Sequence, residues 1–342
     1  MRRTAMLVAL VMLLSGCAAG GGSKPSASSA SGTAPSGTTA PETASPETSA
    51  PPQTSDRIEG SAIGQALLDG ETDRLYDQMS GEMQKAITRE DFKKTVPDFV
   101  QGIKKLELQT KLPLNESEYY GWVEAGGERA VIAILDRAGT ITSLQLTESK
   151  LHPETDNVFT KLAYRLPFEG EWYPFWAGED VLSNYHYAVD SQRYASDLIV
   201  VKDGYSYRGD AKKNESYYAY GQKIKAAADG TVVHVVNDIV DNEPVGAVTT
   251  DQPAGNVVVI DHGNGEFSYL AHLRKGSVQV KVGDKVKAGD WIGLCGNSGN
   301  SSEPHLHFQV SDKADLFEGK SIRVKWEGDL KLHQGTPVKS GG

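Results

Sequence analysis

Cysteine is nearly missing from this chain of 342 residues: only Cys17 and Cys295 occur. Cys17 ends a leader-like stretch described below, which leaves Cys295 without a partner and excludes an intrachain disulfide. Set between Leu294 and Gly296, Cys295 reads as a small buried apolar residue rather than a reactive or metal-binding thiol. Positive charge is short as well. Lys and Arg number 35 against 45 Asp and Glu, a net charge of −10 at pH 7. That balance argues against nucleic acid as a partner, because phosphate binding needs clustered Lys and Arg. Hydrophobic residues make up 39% of the chain, on the low side for globular material, and the shortfall is local. Residues 18–55 contain no Leu, Ile, Val, Met or aromatic side chain. Such a stretch cannot bury enough apolar area to offset its ordering entropy. Residues 17–56 are therefore expected to form a disordered Ser/Thr/Pro/Ala linker, spanning roughly 30–40 Å as a flexible coil.

The first residues, MRRTAMLVALVMLLSGC, give two arginines, an apolar run and a small-residue ending. The pattern is that of a signal peptide. The apolar run is shorter than the roughly 20 residues a bilayer-spanning helix requires. Leu14-Ser15-Gly16-Cys17 resembles a bacterial lipobox, which implies removal of residues 1–16 and lipidation of Cys17. The expectation is an extracytoplasmic protein held to the membrane by a lipid anchor, and made more acidic by the loss of Arg2 and Arg3.

From residue 57 the texture changes. Ile63, Leu67 and Leu68, then Leu75, Met79 and Met83, recur at helical spacing. Thr88 with Asp91 resembles a capping box opening a helix through Phe92, Val96 and Phe99. After Lys104 come strand-like runs, KLELQTKL, EYYGWVEA, RAVIAIL and TITSLQL. Helices followed by antiparallel strands make residues 57–150 a small α+β module with room for an apolar concavity. Its pattern resembles the NTF2-like modules found beside cell-wall enzymes. Residues 151–182, rich in aromatics, read as connecting strands. Residues 183–326 consist of β-branched runs divided by Gly-Asp turns, a mainly antiparallel all-β domain, and 327–342 read as a C-terminal tail. The fold class is thus multidomain, α+β followed by all-β.

Histidine is scarce, eight in all, yet His305 and His307 stand two apart in GNSGNSSEPHLHFQV. On a strand they share a face, with Leu306 and Phe308 turned the other way, and two imidazoles aimed at one spot invite a metal. The preceding Gly/Asn/Ser loop carries little side-chain bulk and is expected to leave room for an extended substrate. AAADGTVV at 226–233, NVVVIDHGNG at 256–265, YLAHL at 269–273, VGDKVKAGDWIG at 282–293 and GNSGNSSEPHLHF at 296–308 follow one another. Together they resemble the LytM/lysostaphin-type zinc peptidases, family M23.

The resemblance implies Zn2+ as cofactor, hydrolysis of peptide bonds in peptidoglycan as activity, and peptidoglycan peptides as substrate. It makes His307 a metal ligand and His305 and His272 catalytic. The remaining ligand pair lies in NYHYAVDSQRYASDLIV, which allows two registrations. His186 and Asp190 have the literal H-x-x-x-D spacing, which on a strand keeps both on one face. Asp197 fits the surrounding texture better, but then Arg193, which stays protonated and cannot ligate, fills the family's His slot. A subgroup with a similar H…QRYAxD run implies that His186 then ligates from upstream. The metal set is therefore His186, Asp197 and His307, with Asp190 as the alternative to Asp197. The segment 203–222 is expected to wall the groove. His234 is expected as a sheet residue, His262 at a hairpin turn, and His152 and His333 at the surface. The competing functional expectation is a non-catalytic peptidoglycan-binding or hydrolase-activating lipoprotein, with other cell-wall proteins as partners.

Overall fold

The computed structural model describes residues 57–316 and 318–340. The leader, the Cys17 lipidation site and the linker lie outside the described residues.

The helical pattern of the N-terminal part resolves into four short helices, α1 (Ile63–Leu68), α2 (Thr72–Asp77), α3 (Gly81–Ala86) and α4 (Arg89–Val100). Local chemistry divides them. Gly70, at φ +73°, takes the left-handed turn that closes α1. The Ser80 hydroxyl accepts the Met83 amide to open α3, and the Thr88 hydroxyl accepts the Asp91 amide to open α4. Four strands follow as an antiparallel meander: β1 (Leu106–Leu114), β2 (Ser117–Glu124), β3 (Arg129–Asp136) and β4 (Ile141–Glu148).

From Ala130 to Leu135 the β3 run RAVIAIL is apolar at every position, and that matches what the strand does. Val131, Ala133 and Leu135 pack under the helices. Ala130, Ile132 and Ile134 point the other way and join Trp176, Leu182, Tyr187, Tyr194 and Ile199. A strand covered on both faces has no polar side, hence the unbroken run. The sheet's second face is closed by the segment leading into the next sheet, and the Tyr119 hydroxyl donates to the Leu182 carbonyl.

The second sheet has ten strands. They are β5 (Phe159–Tyr164), β6 (Glu171–Trp176), β7 (Ser196–Ile199), β9 (Gly230–Val236), β10 (Asn256–Asp261), β11 (Phe267–Leu273), β12 (Lys285–Val286), β14 (Leu306–Ser311), β15 (Ser321–Trp326) and β16 (Val338–Lys339). The main path runs β12-β9-β10-β11-β14-β7-β6-β16, while β8 (Lys223–Lys225) and β13 (Trp291–Leu294) form a separate pair. The pairings are antiparallel except β15 with β5. Strands β5 and β6 come from the connecting region, and β16, with buried Val338, comes from residues read as a tail. Strand β14 lies between β11 and β7. Its Leu306, Phe308 and Val310 enter the main core with Leu198, Leu270 and Ile292. Period-two alternation then places His307, Gln309 and Ser311 on the opposite face, also buried.

Candidate metal centre

His307 pairs in register with Asp197 on β7 and with Ala271 on β11. Its Nδ1 lies 3.0 Å from Asp197 Oδ1, and His186 Nε2 lies 3.6 Å from Asp197 Oδ2. Among the described residues these three form the one group of ligand-type side chains with donor atoms all within 4.8 Å of one another. All three are buried.

His186 does not arrive on a strand. It sits in a 3-10 turn, Tyr185–Ala188, opened by Asn184. Because residues 185–195 coil rather than extend, the four-residue spacing to Asp190 does not put both side chains on one face. The Asp190 carboxylate pairs instead with Arg193 and is 71% exposed. The structure thus brings Asp197, not Asp190, to His186 and His307. Arg193 is buried behind the turn, donating to the Tyr187 carbonyl 3.0 Å away.

The second nitrogen of each clustered ring is engaged. His186 Nδ1–H donates to Asn184 Oδ1 at 2.9 Å, and that amide is oriented by donating from Nδ2 to the Ala195 carbonyl at 2.9 Å. His307 Nε2–H donates to Gln309 Oε1 at 3.1 Å, while Gln309 Nε2 donates to the Ser191 carbonyl at 3.1 Å. These bonds set the tautomers and leave His186 Nε2 and His307 Nδ1 as lone pairs facing one carboxylate. Two such nitrogens and a carboxylate suit a divalent ion with a further position open. Neither Asn184 nor Gln309 was singled out by the sequence reading. The available signal was their spacing of two from each ligand, with Gln309 sharing the His307 face of β14. Tyr185 was also missed; its ring stacks on His186 at 4.0 Å between centroids, and its hydroxyl lies 3.5 Å from Asp197 Oδ2.

His305 and His272 border the cluster. Their ring centroids are 4.7 Å apart, and His305 Nε2 lies 3.5 Å from Asp197 Oδ1. His305 Nδ1–H donates to the Glu303 carbonyl at 2.8 Å, and His272 Nδ1–H to the Ser298 carbonyl at 2.8 Å. With Nδ1 so engaged, each ring keeps Nε2 for other partners, and that of His305 faces Asp197 Oδ1. His272 sits at φ +59°, a left-handed conformation unfavourable for a non-glycine residue and of the kind that concentrates at functional sites.

The Gly/Asn/Ser loop was expected to leave open space. It is instead a buried polar network. Ser301 Oγ donates to Asn297 Oδ1 at 2.7 Å, Asn297 Nδ2 donates to Asn214 Oδ1 at 2.9 Å, and Asn242 Nδ2 donates to the Gly299 carbonyl at 2.8 Å. A Cβ on Gly299 would fall 2.4 Å from the Gly255 amide nitrogen, so the two loops approach as closely as glycine allows. The carbonyls that fix His272 and His305 both come from this loop.

Charge follows burial and contact. Burial pushes the His186 imidazole down to about 3, only partly opposed by Asp197, and drives His272 well below the ordinary histidine range. Burial works against ionisation of Asp197, but the flanking His186 and His305 win and hold its carboxyl well below the usual range. Burial likewise disfavours protonated His305, yet Asp197 raises it overall. Burial lifts the Glu303 carboxyl to about 7. The other histidines stay outside the cluster. His234 is exposed on β9, His333 is exposed, and His262 bridges the Asp229 carbonyl and Ser268. His152, expected at the surface, is partly buried against the Tyr187 ring. Cys295 is a free, fully buried thiol.

Residues 215–319 match peptidase family M23. This span includes His272, His305 and His307, and leaves His186 and Asp197 upstream. Peptidoglycan DD-endopeptidase ShyA of Vibrio cholerae is 43% identical over 120 residues, 35% of this chain and 23% of that protein. Glycyl-glycine endopeptidase ALE-1 of Staphylococcus capitis is 33% identical over 131 residues, 36% of this chain and 32% of that protein. Murein hydrolase activator EnvC of Escherichia coli is 36% identical over 90 residues, 26% of this chain and 18% of that protein. The chain therefore spans less than a third of the length of each of these relatives. Residues 215–319, which carry His272, His305 and His307, thus form an M23-type peptidase domain within this chain.

Proposed function

We propose that this chain is a membrane-anchored zinc endopeptidase that hydrolyses peptide bonds of peptidoglycan. The observation that carries the reading is the convergence of His186 Nε2, Asp197 and His307 Nδ1 on one point, with His305 and His272 beside it. Zn2+ would be held by those three side chains. Bound there, the ion would supply a Lewis acid able to polarise a scissile carbonyl and acidify a water.

The protein's own residues do the rest. Asn184 and Gln309 keep the ligand rings in register. With Nδ1–H tied to the Glu303 and Ser298 carbonyls, His305 and His272 each present Nε2 as a proton acceptor. One takes the proton of the attacking water and returns it to the leaving amine. Protonated, either donates to the oxyanion of the tetrahedral intermediate, where loss of one donor costs about 100- to 1,000-fold in rate. The buried setting strengthens both interactions.

A hydrolase-activating role is the second reading, favoured by the similarity to EnvC. It gives no reason for a full donor set with two further histidines. The lipid anchor at Cys17 and the extracytoplasmic location rest on the leader sequence. No helix among the described residues is long and apolar enough to cross a membrane. Incubating the zinc-loaded protein with purified peptidoglycan and identifying the released muropeptides by mass spectrometry tests the reading. New peptide termini that disappear in His305→Ala support it. Unchanged muropeptides, with hydrolysis appearing only when a second hydrolase is added, favour the activator.

A further inference from the structure

Asn115 stands at the tip of the β1–β2 hairpin, 190 positions before His305 and in the other sheet. At φ +55° it occupies a left-handed turn that asparagine tolerates. Three of its groups grip one loop of the peptidase region. Its amide donates to the Gly204 carbonyl at 2.9 Å, its Oδ1 accepts the Ser206 amide at 2.8 Å, and its Nδ2 donates to Ser206 Oγ at 3.1 Å. The neighbouring hairpin tip grips the same loop, since the Arg137 guanidinium donates to the Tyr205 hydroxyl.

Ser206 is 2% exposed and passes the contact on. Its hydroxyl proton has two acceptors in reach, Asn115 Oδ1 at 3.3 Å and Glu303 Oε2 at 3.4 Å. The Glu303 carboxyl is buried, and its other oxygen, Oε1, has no partner among the described residues. Ser206 is thus the side chain that satisfies this carboxyl, and a buried polar group deprived of its partner drives local rearrangement. The backbone of the same residue supplies the carbonyl that fixes the His305 ring, an anchor shared with the Ser301 hydroxyl at 2.9 Å.

We propose that the N-terminal unit positions the general acid/base histidine of the peptidase: Asn115 is a positioning residue for His305, acting through Ser206 and Glu303. The two histidine ligands are held separately. His307 is oriented by Gln309 and β7, and His186 by Asn184, with no member of the Asn115 chain involved. Coupling through Asn115 therefore bears on the proton-handling side of the site and spares the ion. The kinetic arm of this proposal rests on the hydrolase reading above; the structural arm does not.

The test uses the full protein with zinc restored, comparing wild type, Asn115→Gly and Asn115→Asp. Glycine keeps the left-handed turn and the bond to Gly204 but deletes all three side-chain contacts with Ser206. Aspartate keeps the turn and the acceptor for the Ser206 amide. In Asn115→Gly, amide hydrogen–deuterium exchange is expected to quicken in peptides covering 203–207 and also in those covering 301–305, with β10 and β11 unchanged. Zinc affinity by chelator competition stays within about twofold, while kcat on a soluble muropeptide falls about 2- to 30-fold with little change in KM. Asn115→Asp recovers most of kcat. Faster exchange confined to 203–207, or zinc affinity lost in step with kcat, would overturn the proposal. If wild-type protein hydrolyses no muropeptide, the hydrolase reading fails, and the spread or confinement of the exchange still decides the coupling.

Discussion

Asp197 and His307 stand opposite one another on adjacent antiparallel strands, with Oδ1 and Nδ1 3.0 Å apart. Such a pair, backed by His186, separates the two aspartates that compete in the sequence. Asp197→Asn is expected to lower zinc affinity beyond the roughly 10- to 100-fold typical of an outer-sphere change. Asp190→Asn removes only an ion pair whose carboxylate is 71% exposed, and zinc affinity should stay within about twofold of wild type. Chelator competition on both variants checks this.

The carboxamides behind the ligands make a graded prediction. Asn184→Ala and Gln309→Ala each free one imidazole to change tautomer and turn. Zinc affinity should fall about 10- to 100-fold in each, with the far-ultraviolet circular dichroism unchanged. Equal affinity to wild type in both variants would mean that the rings are held by packing alone.

Legibility in the sequence varied with the local backbone. His305 and His307 were readable because β14 is a plain strand and period-two alternation holds there. Asp190 and Asp197 could not be separated because His186 lies in a 3-10 turn, where strand spacing has no meaning. The RAVIAIL run marked a strand, but the lack of any polar position from Ala130 to Leu135, the sign of two covered faces, goes unused without the partner surface. The Asn and Ser residues of 296–301 looked like an open loop by composition. Their burial depends on Asn214 and Asn242, which come from distant stretches of chain.

The shared face of the first sheet has a stability consequence. Ile132 is 1% exposed and packs against the segment that carries His186. Ile132→Ala should destabilise the protein by about 2–5 kcal/mol. Urea unfolding followed by tryptophan fluorescence should show one transition for both sheets, shifted as a unit. Two separated transitions in wild type would show that the sheets unfold independently.

Glu303 gives a pH dependence of defined sign. Burial raises its carboxyl from 4.5 to about 7 in the folded protein, with His305 and the Ser206 hydroxyl pulling the other way. Between those values the folded state keeps a proton that the unfolded chain releases, so this group's contribution to stability falls as pH rises through the window. Glu303→Gln removes the effect. The variant should be more stable than wild type by roughly 1–3 kcal/mol at pH 8 and nearly equal to it at pH 4, measured by urea unfolding at both values. A gain of the same size at pH 4 would contradict burial of an ionisable carboxyl as the cause.

The most direct measurement is anomalous diffraction at the zinc absorption edge from crystals grown with zinc. The expected result is a single strong peak about 2 Å from His186 Nε2, an Asp197 oxygen and His307 Nδ1. A peak bound by Asp190, or by His305 and His272 without Asp197, would contradict the donor set on which the proposed chemistry stands.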